Sequence, residues 1–106
     1  MNRTFALSGQ AERSFREIAR YSQERFGARR GKAYSKSLVA TFQRIANGQE
    51  PHHSCRAVFA EDLREELRFA CAGRHFVIFV MTAQGVLIAD ILHQSSNAAG
   101  RLARLT

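Results

Sequence analysis

The stretch that decides the fold is His75-Phe76-Val77-Ile78-Phe79-Val80-Met81, in which every residue after the histidine is apolar. Successive side chains of an extended strand point to opposite faces of a sheet. The two faces of this run are therefore Phe76, Ile78 and Val80 on one side, and Val77, Phe79 and Met81 on the other. A half-exposed strand would alternate polar and apolar residues, so this run predicts a strand covered on both faces.

The same period of two continues on either side of this run and predicts a three-stranded meander. The strands are Leu67 to Cys71, His75 to Thr82 and Val86 to His93. Their separators, 72–74 and 83–85, are short and contain glycine, which favours antiparallel pairing of consecutive strands. In the last strand we expect two faces: Leu87, Ala89 and Ile91 opposite Val86, Ile88 and Leu92.

The first half of the chain predicts a short strand followed by two helices. Thr4 to Leu7 alternates like a strand, and Ser8 can cap a helix that ends at Gly27. A second helix is expected from about Arg30 to Asn47, with a connection of three or four residues between the two. Apolar and small residues recur at helical spacing in both: Phe15, Ile18, Ala19, Ser22 and Phe26, then Tyr34, Leu38, Thr41, Phe42 and Ile45.

These elements together predict an α+β fold: an N-terminal strand, an antiparallel helix hairpin and then a three-stranded antiparallel meander. We expect residues 1–106 to form one domain, because the chain is long enough for a single core only. Residues 49–65 read as an irregular connection with a helical turn at Glu61 to Glu66. The tail, Ser95 to Thr106, carries Leu102 and Leu105 and fits a disordered, a helical or a docked segment.

One helix hairpin can cover only one face of a sheet that is apolar on both. Part of the second face must therefore be covered by the tail, by the 49–65 connection or by another chain. We expect another chain to contribute, and coverage by the protein's own loops is the alternative.

The charge balance favours an acidic partner. The formal net charge is +7, and 14 of the 16 basic residues are arginine, which pairs with phosphate and carboxylate in a bidentate way. Residues 1–50 carry 10 basic and 4 acidic side chains. A solvated basic helix surface is the alternative interpretation.

Other classes of protein find little support. No apolar run reaches the ~18 residues of a membrane span, and the first residues lack a secretory signal, so we expect a cytoplasmic protein without membrane contact. The two cysteines, Cys55 and Cys71, read as small buried hydrophobic residues. His52, His53 and Cys55 are spaced too tightly for a tetrahedral metal site, and no P-loop, GxGxxG or GxSxG motif is present. We expect no metal and no cofactor.

The order of these elements, with particular residues along nearly the whole chain, resembles the ParE branch of the ParE/RelE toxin superfamily of type II toxin-antitoxin modules. The segments that carry the resemblance are Phe5-Ala6-Leu7-Ser8, Ala11, Ile18, Tyr21, Arg25-Phe26-Gly27, Leu38, Ile45-Ala46, Leu67-Arg68, Gly73, 75–79 and 88–98. Two positions depart from the family pattern. Phe79-Val80 stands where many members have a tyrosine, and Ser96-Asn97 where plasmid-type members often have a basic residue and an aspartate.

The resemblance implies a toxin that is neutralised by a ParD-like antitoxin in a hetero-oligomer. Such an antitoxin has a ribbon-helix-helix part that binds operator DNA and an acidic C-terminal segment that wraps the toxin, so operator DNA is reached only through the antitoxin. The implied target is DNA gyrase, whose poisoning blocks replication. The RelE branch implies the alternative, a ribosome-dependent mRNA endoribonuclease.

Candidate site residues follow from the sheet and the charges. For the antitoxin we expect contacts from Arg68, Phe79, Met81 and Ile88, with Arg68 facing the second sheet face. For the target we expect contacts from Arg74, His93, Arg101 and Arg104. No catalytic residue is expected of a gyrase poison.

In the ribonuclease alternative, the catalytic groups would be His93, Arg68 and Arg74. His93 would be the general base because it titrates near neutrality and could face Arg68 across the sheet. Neither tyrosine is near His93 in sequence, so an acid partner is missing in this reading.

Overall fold

The N-terminal half folds into β1 (Thr4–Leu7), α1 (Gly9–Phe26) and α2 (Ala28–Ala46) in a computed structural model that describes residues 3–104. Ser8 caps α1 as predicted, because its side chain accepts a hydrogen bond from the Ala11 amide at 3.0 Å. Gly27 alone separates the helices, at a φ of 90°. The predicted connection of three or four residues is therefore wrong, since one glycine in this conformation reverses the chain.

The C-terminal half is the predicted meander with three short additions. The elements are β2 (His53–Ser54), α3 (Cys55–Val58), β3 (Arg68–Ala72), β4 (His75–Thr82), β5 (Gly85–His93) and α4 (Ala98–Ala103). The predicted helical turn at 61–66 is wrong: the helical turn is α3, which Ser54 caps by accepting from the Ala57 amide at 3.4 Å.

The five strands form one sheet in the order β1-β5-β4-β3-β2. β1 runs parallel to β5, and the other neighbouring pairs are antiparallel. The α+β fold of strand, helix hairpin and meander is confirmed. No helix within residues 3–104 is long and apolar enough to cross a membrane.

The helix hairpin covers one face of the sheet and forms the first of two cores, which we call the helix-side core. Its buried residues are Ala11, Leu38, Phe42, Ile45, Ala46, Ala70, Ala72, Val77, Phe79, Val86, Ile88 and Ile91. The predicted division of β4 holds here, because Val77 and Phe79 lie in this core, whereas Ile78 lies in the other core with Phe76 and Val80 packed against it.

The faces of β5 differ from the prediction. The pairing of β4 with β5 shifts between Ile78 and Phe79, which leaves Ala89 without a direct partner in β4. An extra residue in one strand reverses the alternation beyond it. Ile91 consequently joins Val86 in the helix-side core, and Leu92 lies on the opposite face.

The second face of the sheet is sealed by the chain itself. Its core, which we call the loop-side core, consists of Cys55, Leu63, Leu67, Phe69, Ile78, Leu92, Ala98 and Leu102. Ile78 and Leu92 are 0% exposed, so the 49–65 connection and α4 cover the face for which we expected another chain. That expectation is corrected, and the docked form of the tail is the one observed. Leu105 lies outside the described residues, and Cys71 is exposed rather than buried.

Candidate functional site

A cleft of about 920 Å³ lies at the end of the sheet where β4 begins and β5 ends. It lies between the last turns of α1, the first turns of α2 and the β3–β4 turn. We call it the hairpin cleft, and its lining residues are Glu17, Ile18, Tyr21, Arg25, Phe26, Arg30, Tyr34, Gly73, Arg74, His75 and His93.

Tyr34 ties the helix hairpin to the sheet at the floor of the cleft. Its hydroxyl lies 2.5 Å from Nδ1 of His75, and the Arg74 amide donates to that hydroxyl at 3.3 Å. A Cβ at position 73 would come within 2.9 Å of the Tyr34 ring, so only glycine lets the turn approach this closely. These contacts hold the β3–β4 turn, and with it Arg74, against α2.

Burial is the main cause, and the neighbouring His93 the second, of a pKa of His75 lowered to about 4. Burial also raises the pKa of Tyr34, although the Arg74 amide and guanidinium act against this shift. Near neutral pH the hydroxyl of Tyr34 therefore keeps its proton and His75 is uncharged. The direction of the short Tyr34–His75 hydrogen bond depends on the tautomer of His75. The hydroxyl donates to Nδ1 when the ring proton is on Nε2, and when the proton is on Nδ1 the hydroxyl accepts it and donates to the Ala72 carbonyl at 3.3 Å.

The ring of His93 is hydrogen-bonded to Ser95. Its Nδ1 accepts from the Ser95 amide at 3.1 Å and lies 2.6 Å from the Ser95 hydroxyl. Since an amide can only donate, Nδ1 carries the lone pair and the neutral ring has its proton on Nε2. The ring packs edge to face on His75, with centroids 5.2 Å apart. His93 can therefore offer a hydrogen-bond donor, but its only lone pair is already used.

The rim of the cleft combines cations with exposed aromatic rings. Arg25, Arg30 and Arg74 are exposed, and none of them forms an ion pair within residues 3–104. Tyr21 is 61% exposed and Phe26 49% exposed, although Phe26 belongs to the helical pattern that predicted burial. The cleft thus offers positive charge and flat apolar surface side by side.

The residues expected to contact the target divide into two groups. Arg74 and His93 both line the hairpin cleft. Arg101 and Arg104 lie at the C-terminal end of the described chain, in α4 and directly after it. The guanidinium of Arg101 is 3.9 Å from the buried carboxylate of Asp90, so part of its charge is engaged within the fold.

Arg68 is not where the sequence suggested. It pairs with Phe79, and directly opposed residues share a face, so Arg68 lies on the helix side and not on the second face. Its Nε donates to Nδ1 of His52 at 2.6 Å. It sits at the opposite end of β3 from the strand pair of His75 and His93, about 13 Å away along the strand. The expected proximity of Arg68 and His93 is therefore wrong.

Two of the four residues expected at an antitoxin contact are core residues. Phe79 and Ile88 are 0% exposed in the helix-side core, so neither side chain presents a surface to a partner. This corrects the expectation for both. Met81, at the end of β4, is 55% exposed, and Arg68 is partly exposed, so these two remain accessible.

Sequence reasoning missed the helical half of the cleft. Tyr21 and Arg25 are four residues apart on α1, and Arg30 and Tyr34 are four apart on α2, so each pair lies on one helix face. The signal was the repetition of an aromatic and an arginine at this spacing on both sides of Gly27. The sequence did not show which part of the chain faces these helix ends, because the β3–β4 turn that closes the cleft follows some forty residues later.

Within the described part of the chain, no group of three or more histidine, cysteine or acidic side chains could hold a metal ion. His52 is engaged with Arg68, and Cys55 is buried in the loop-side core. Burial raises the pKa of the Cys55 thiol to about 11.

Comparison with known proteins gives a consistent result. The family described as "ParE toxin of type II toxin-antitoxin system, parDE" matches residues 5–98. A protein named Toxin ParE1 from Caulobacter vibrioides is 33% identical over 98 residues, covering 92% of this chain and 96% of the relative. Toxin ParE from Escherichia coli is 29% identical over 100 residues, covering 93% and 92%.

A solved structure from a chromosomal ParDE toxin-antitoxin system of Pseudomonas aeruginosa has the same fold. Its TM-score is 0.64 at 12% sequence identity, and the match covers 87% of this chain and 96% of that chain. At this level of identity the likeness concerns the fold alone.

Proposed function

This chain belongs to the ParE toxin family of type II toxin-antitoxin systems, and we propose that it acts in the cytoplasm by binding DNA gyrase, without chemistry of its own. The observation that carries the second half of this proposal is the hydrogen bond from the Ser95 amide to Nδ1 of His93. The histidine best placed to be a general base already uses one ring nitrogen as an acceptor for Ser95. Such a site suits contact with a partner better than proton abstraction.

The proposed target surface is the cationic end of the molecule. Arg74 and His93 would contact the target from the hairpin cleft, and Arg101 and Arg104 from the region of α4. The free arginines of the cleft support the first pair, since they carry charge that no carboxylate in residues 3–104 neutralises.

The proposed inhibitor is a ParD-like antitoxin with a ribbon-helix-helix part and an acidic C-terminal segment. The net charge of +7 supports such a partner. Of the residues expected to contact it, Arg68 and Met81 are accessible and remain in the proposal. Operator DNA would be reached only through the antitoxin, in a hetero-oligomer.

A ribosome-dependent ribonuclease is the second candidate, and one observation favours it. The fold brings Tyr34, Arg74, His75 and His93 into one cleft. A tyrosine therefore shares the cleft with His93, although neither tyrosine is near His93 in sequence. Against it, Nδ1 of His75 is engaged in a hydrogen bond with Tyr34, and Arg68 lies at the other end of β3.

Purified full-length protein can separate the two. We expect it to inhibit supercoiling by gyrase and to increase gyrase-dependent DNA cleavage, while mRNA incubated with ribosomes stays intact. Intact gyrase activity together with ribosome-dependent mRNA fragments would contradict the proposal.

Substitution of His93 by alanine adds a second measurement. A ribonuclease that used this ring would lose most of its toxicity, about 100-fold or more if the ring served in proton transfer. A binding toxin loses one hydrogen-bond donor and should keep growth inhibition at a reduced level. Arg64→Ala is a matched surface control, because Arg64 lies outside the cleft and pairs with Glu66.

A further inference from the structure

The hairpin cleft has features that contact with a folded protein surface does not require. Tyr21 and Phe26 expose 61% and 49% of their surface around a concave site of about 920 Å³. Exposed apolar surface concentrated at a concave site marks a place of interaction, and an aromatic ring offers a planar partner a face for stacking.

The cations lie beside these rings. Arg25 is one helical turn from Tyr21 on α1, and Arg30 lies in the first turn of α2, beyond Gly27. Arg74 lines the cleft from the β3–β4 turn. Glu17 is the one carboxylate in the lining, so the site carries an excess of positive charge. His93 adds an Nε2–H donor, because its Nδ1 accepts from the Ser95 amide.

From this combination we infer that the hairpin cleft binds single-stranded nucleic acid, with bases on the rings of Tyr21 and Phe26 and phosphates on Arg25, Arg30 and Arg74. Nucleotides offer both parts at a regular spacing: a planar base for each ring and an anionic phosphate for each guanidinium. An acidic peptide matches the charge, but aliphatic acidic side chains have no flat face for the rings.

The proposed mode predicts tolerance of sequence and of sugar. Every base has a π-face, and neither stacking nor phosphate pairing needs a 2′-hydroxyl. The inference goes beyond the proposed target, because it requires a free oligonucleotide to bind without gyrase or ribosomes. Binding of the oligonucleotide and inhibition of gyrase can therefore fail separately.

The test is fluorescence anisotropy of the full-length protein, made by cell-free synthesis, with fluorescein-labelled dT12 over a range of salt concentrations. Arg30→Ala should weaken binding and lower the slope of log Kd against log salt by about 0.7, the value for one phosphate contact to a single strand. Arg29→Ala is the matched control, because it removes the same charge from the neighbouring position outside the cleft lining. Equal losses in the two variants would show binding by net charge and would overturn the proposal.

The aromatic contribution has its own pair of variants. Tyr21→Leu should weaken binding about 5-fold or more, the loss of roughly 1 kcal/mol of stacking, whereas Tyr21→Phe should bind like the unchanged protein. Tyr21 is exposed, and thermal unfolding of each variant checks that the fold is kept. No loss on Tyr21→Leu would overturn the stacking role.

Two further probes identify the ligand class. Fluorescein-labelled rU12 should bind as dT12 does, and binding of rU12 alone would overturn the sugar-independent mode. An eight-residue peptide of alternating glutamate and leucine should not compete. Saturable binding of this peptide with no binding of dT12 would assign the cleft to an acidic protein segment instead.

Discussion

The hydroxyl of Tyr34 lies 2.5 Å from Nδ1 of His75, and this contact joins the helix hairpin to the first residue of the central strand β4. It links residues 41 positions apart. The same hydroxyl receives the Arg74 amide at 3.3 Å, so one side chain fixes both the strand and the turn before it. The hairpin cleft depends on this link, because Arg74 and His75 line it from the sheet side.

Stability should fall as the pH is lowered through the range in which unfolded histidine titrates. Burial holds the pKa of folded His75 at about 4, against an ordinary value of 6.5, so the unfolded chain binds more protons between these limits. The contribution is complete above about pH 6.5 and is lost progressively toward pH 4. The urea concentration at the unfolding midpoint should decrease steadily as the pH is lowered from about 6.5 to about 4.

His75→Gln is the matched variant for this prediction, because glutamine keeps an acceptor for the Tyr34 hydroxyl and does not titrate. Its midpoint should depend less on pH. Some dependence should remain, since burial, Arg68 and His53 all lower the pKa of His52 as well. A variant whose pH profile equals that of the unchanged protein would contradict the role of His75.

Leu102→Ala should destabilise the protein by about 2 to 5 kcal/mol, because it removes a fully buried side chain from the loop-side core. The measurement is the free energy of unfolding in urea. Val58→Ala, at a position 58% exposed, is the control and should change stability by less than about 0.5 kcal/mol. A small effect of Leu102→Ala would mean that α4 does not seal the second face in solution.

Ser14→Ala should cost about 1 to 3 kcal/mol, because the buried carboxylate of Asp90 would lose the hydroxyl that donates to it at 2.6 Å. The amide of Ile91 would remain as a donor at 2.8 Å. Ser37→Ala provides the comparison, since that exposed hydroxyl donates only to the Tyr34 carbonyl of its own helix. Equal melting temperatures for the two variants would exclude a structural role for the Ser14–Asp90 contact.

The two cysteines should react very differently with iodoacetamide at about pH 8, where only thiolates react readily. Cys71 is exposed and should be alkylated in the native protein. Cys55 is 0% exposed, and burial raises its pKa to about 11, so it should react only after unfolding. Mass spectrometry of protein labelled before and after unfolding in urea counts the alkylated cysteines. Rapid labelling of Cys55 in the native protein would contradict the burial of Cys55 in the loop-side core.

The secondary structure was predictable because local patterns encode it. Ser8 and Gly27 mark the limits of α1, and the apolar run of β4 identifies a strand covered on both sides. The faces of β5 beyond Ala89 were not predictable, since a one-residue shift in pairing depends on the neighbouring strand and leaves no mark in the strand's own sequence.

The candidate site was predicted only in part. The sequence predicts target contacts from Arg74 in a hairpin turn and from His93 at the end of the last strand, and the fold places both in one cleft. Tyr34 was set aside because it is distant from the histidines in sequence, yet its hydroxyl touches His75. The sequence alone predicts antitoxin contacts from Phe79 and Ile88, because it gives the alternation of a strand but does not say which side the helices cover.

The sequence by itself determined the elements, their order, the two-sided apolar sheet and the basic character of the surface, because periodicity, capping and charge are properties of neighbouring residues. Only the tertiary structure decided that the 49–65 connection and α4 cover the second face, and that the helix ends meet the β3–β4 turn to form the hairpin cleft. Both outcomes are contacts between residues far apart in the chain. Such contacts are selected by the free energy of packing the whole chain, which no local pattern contains.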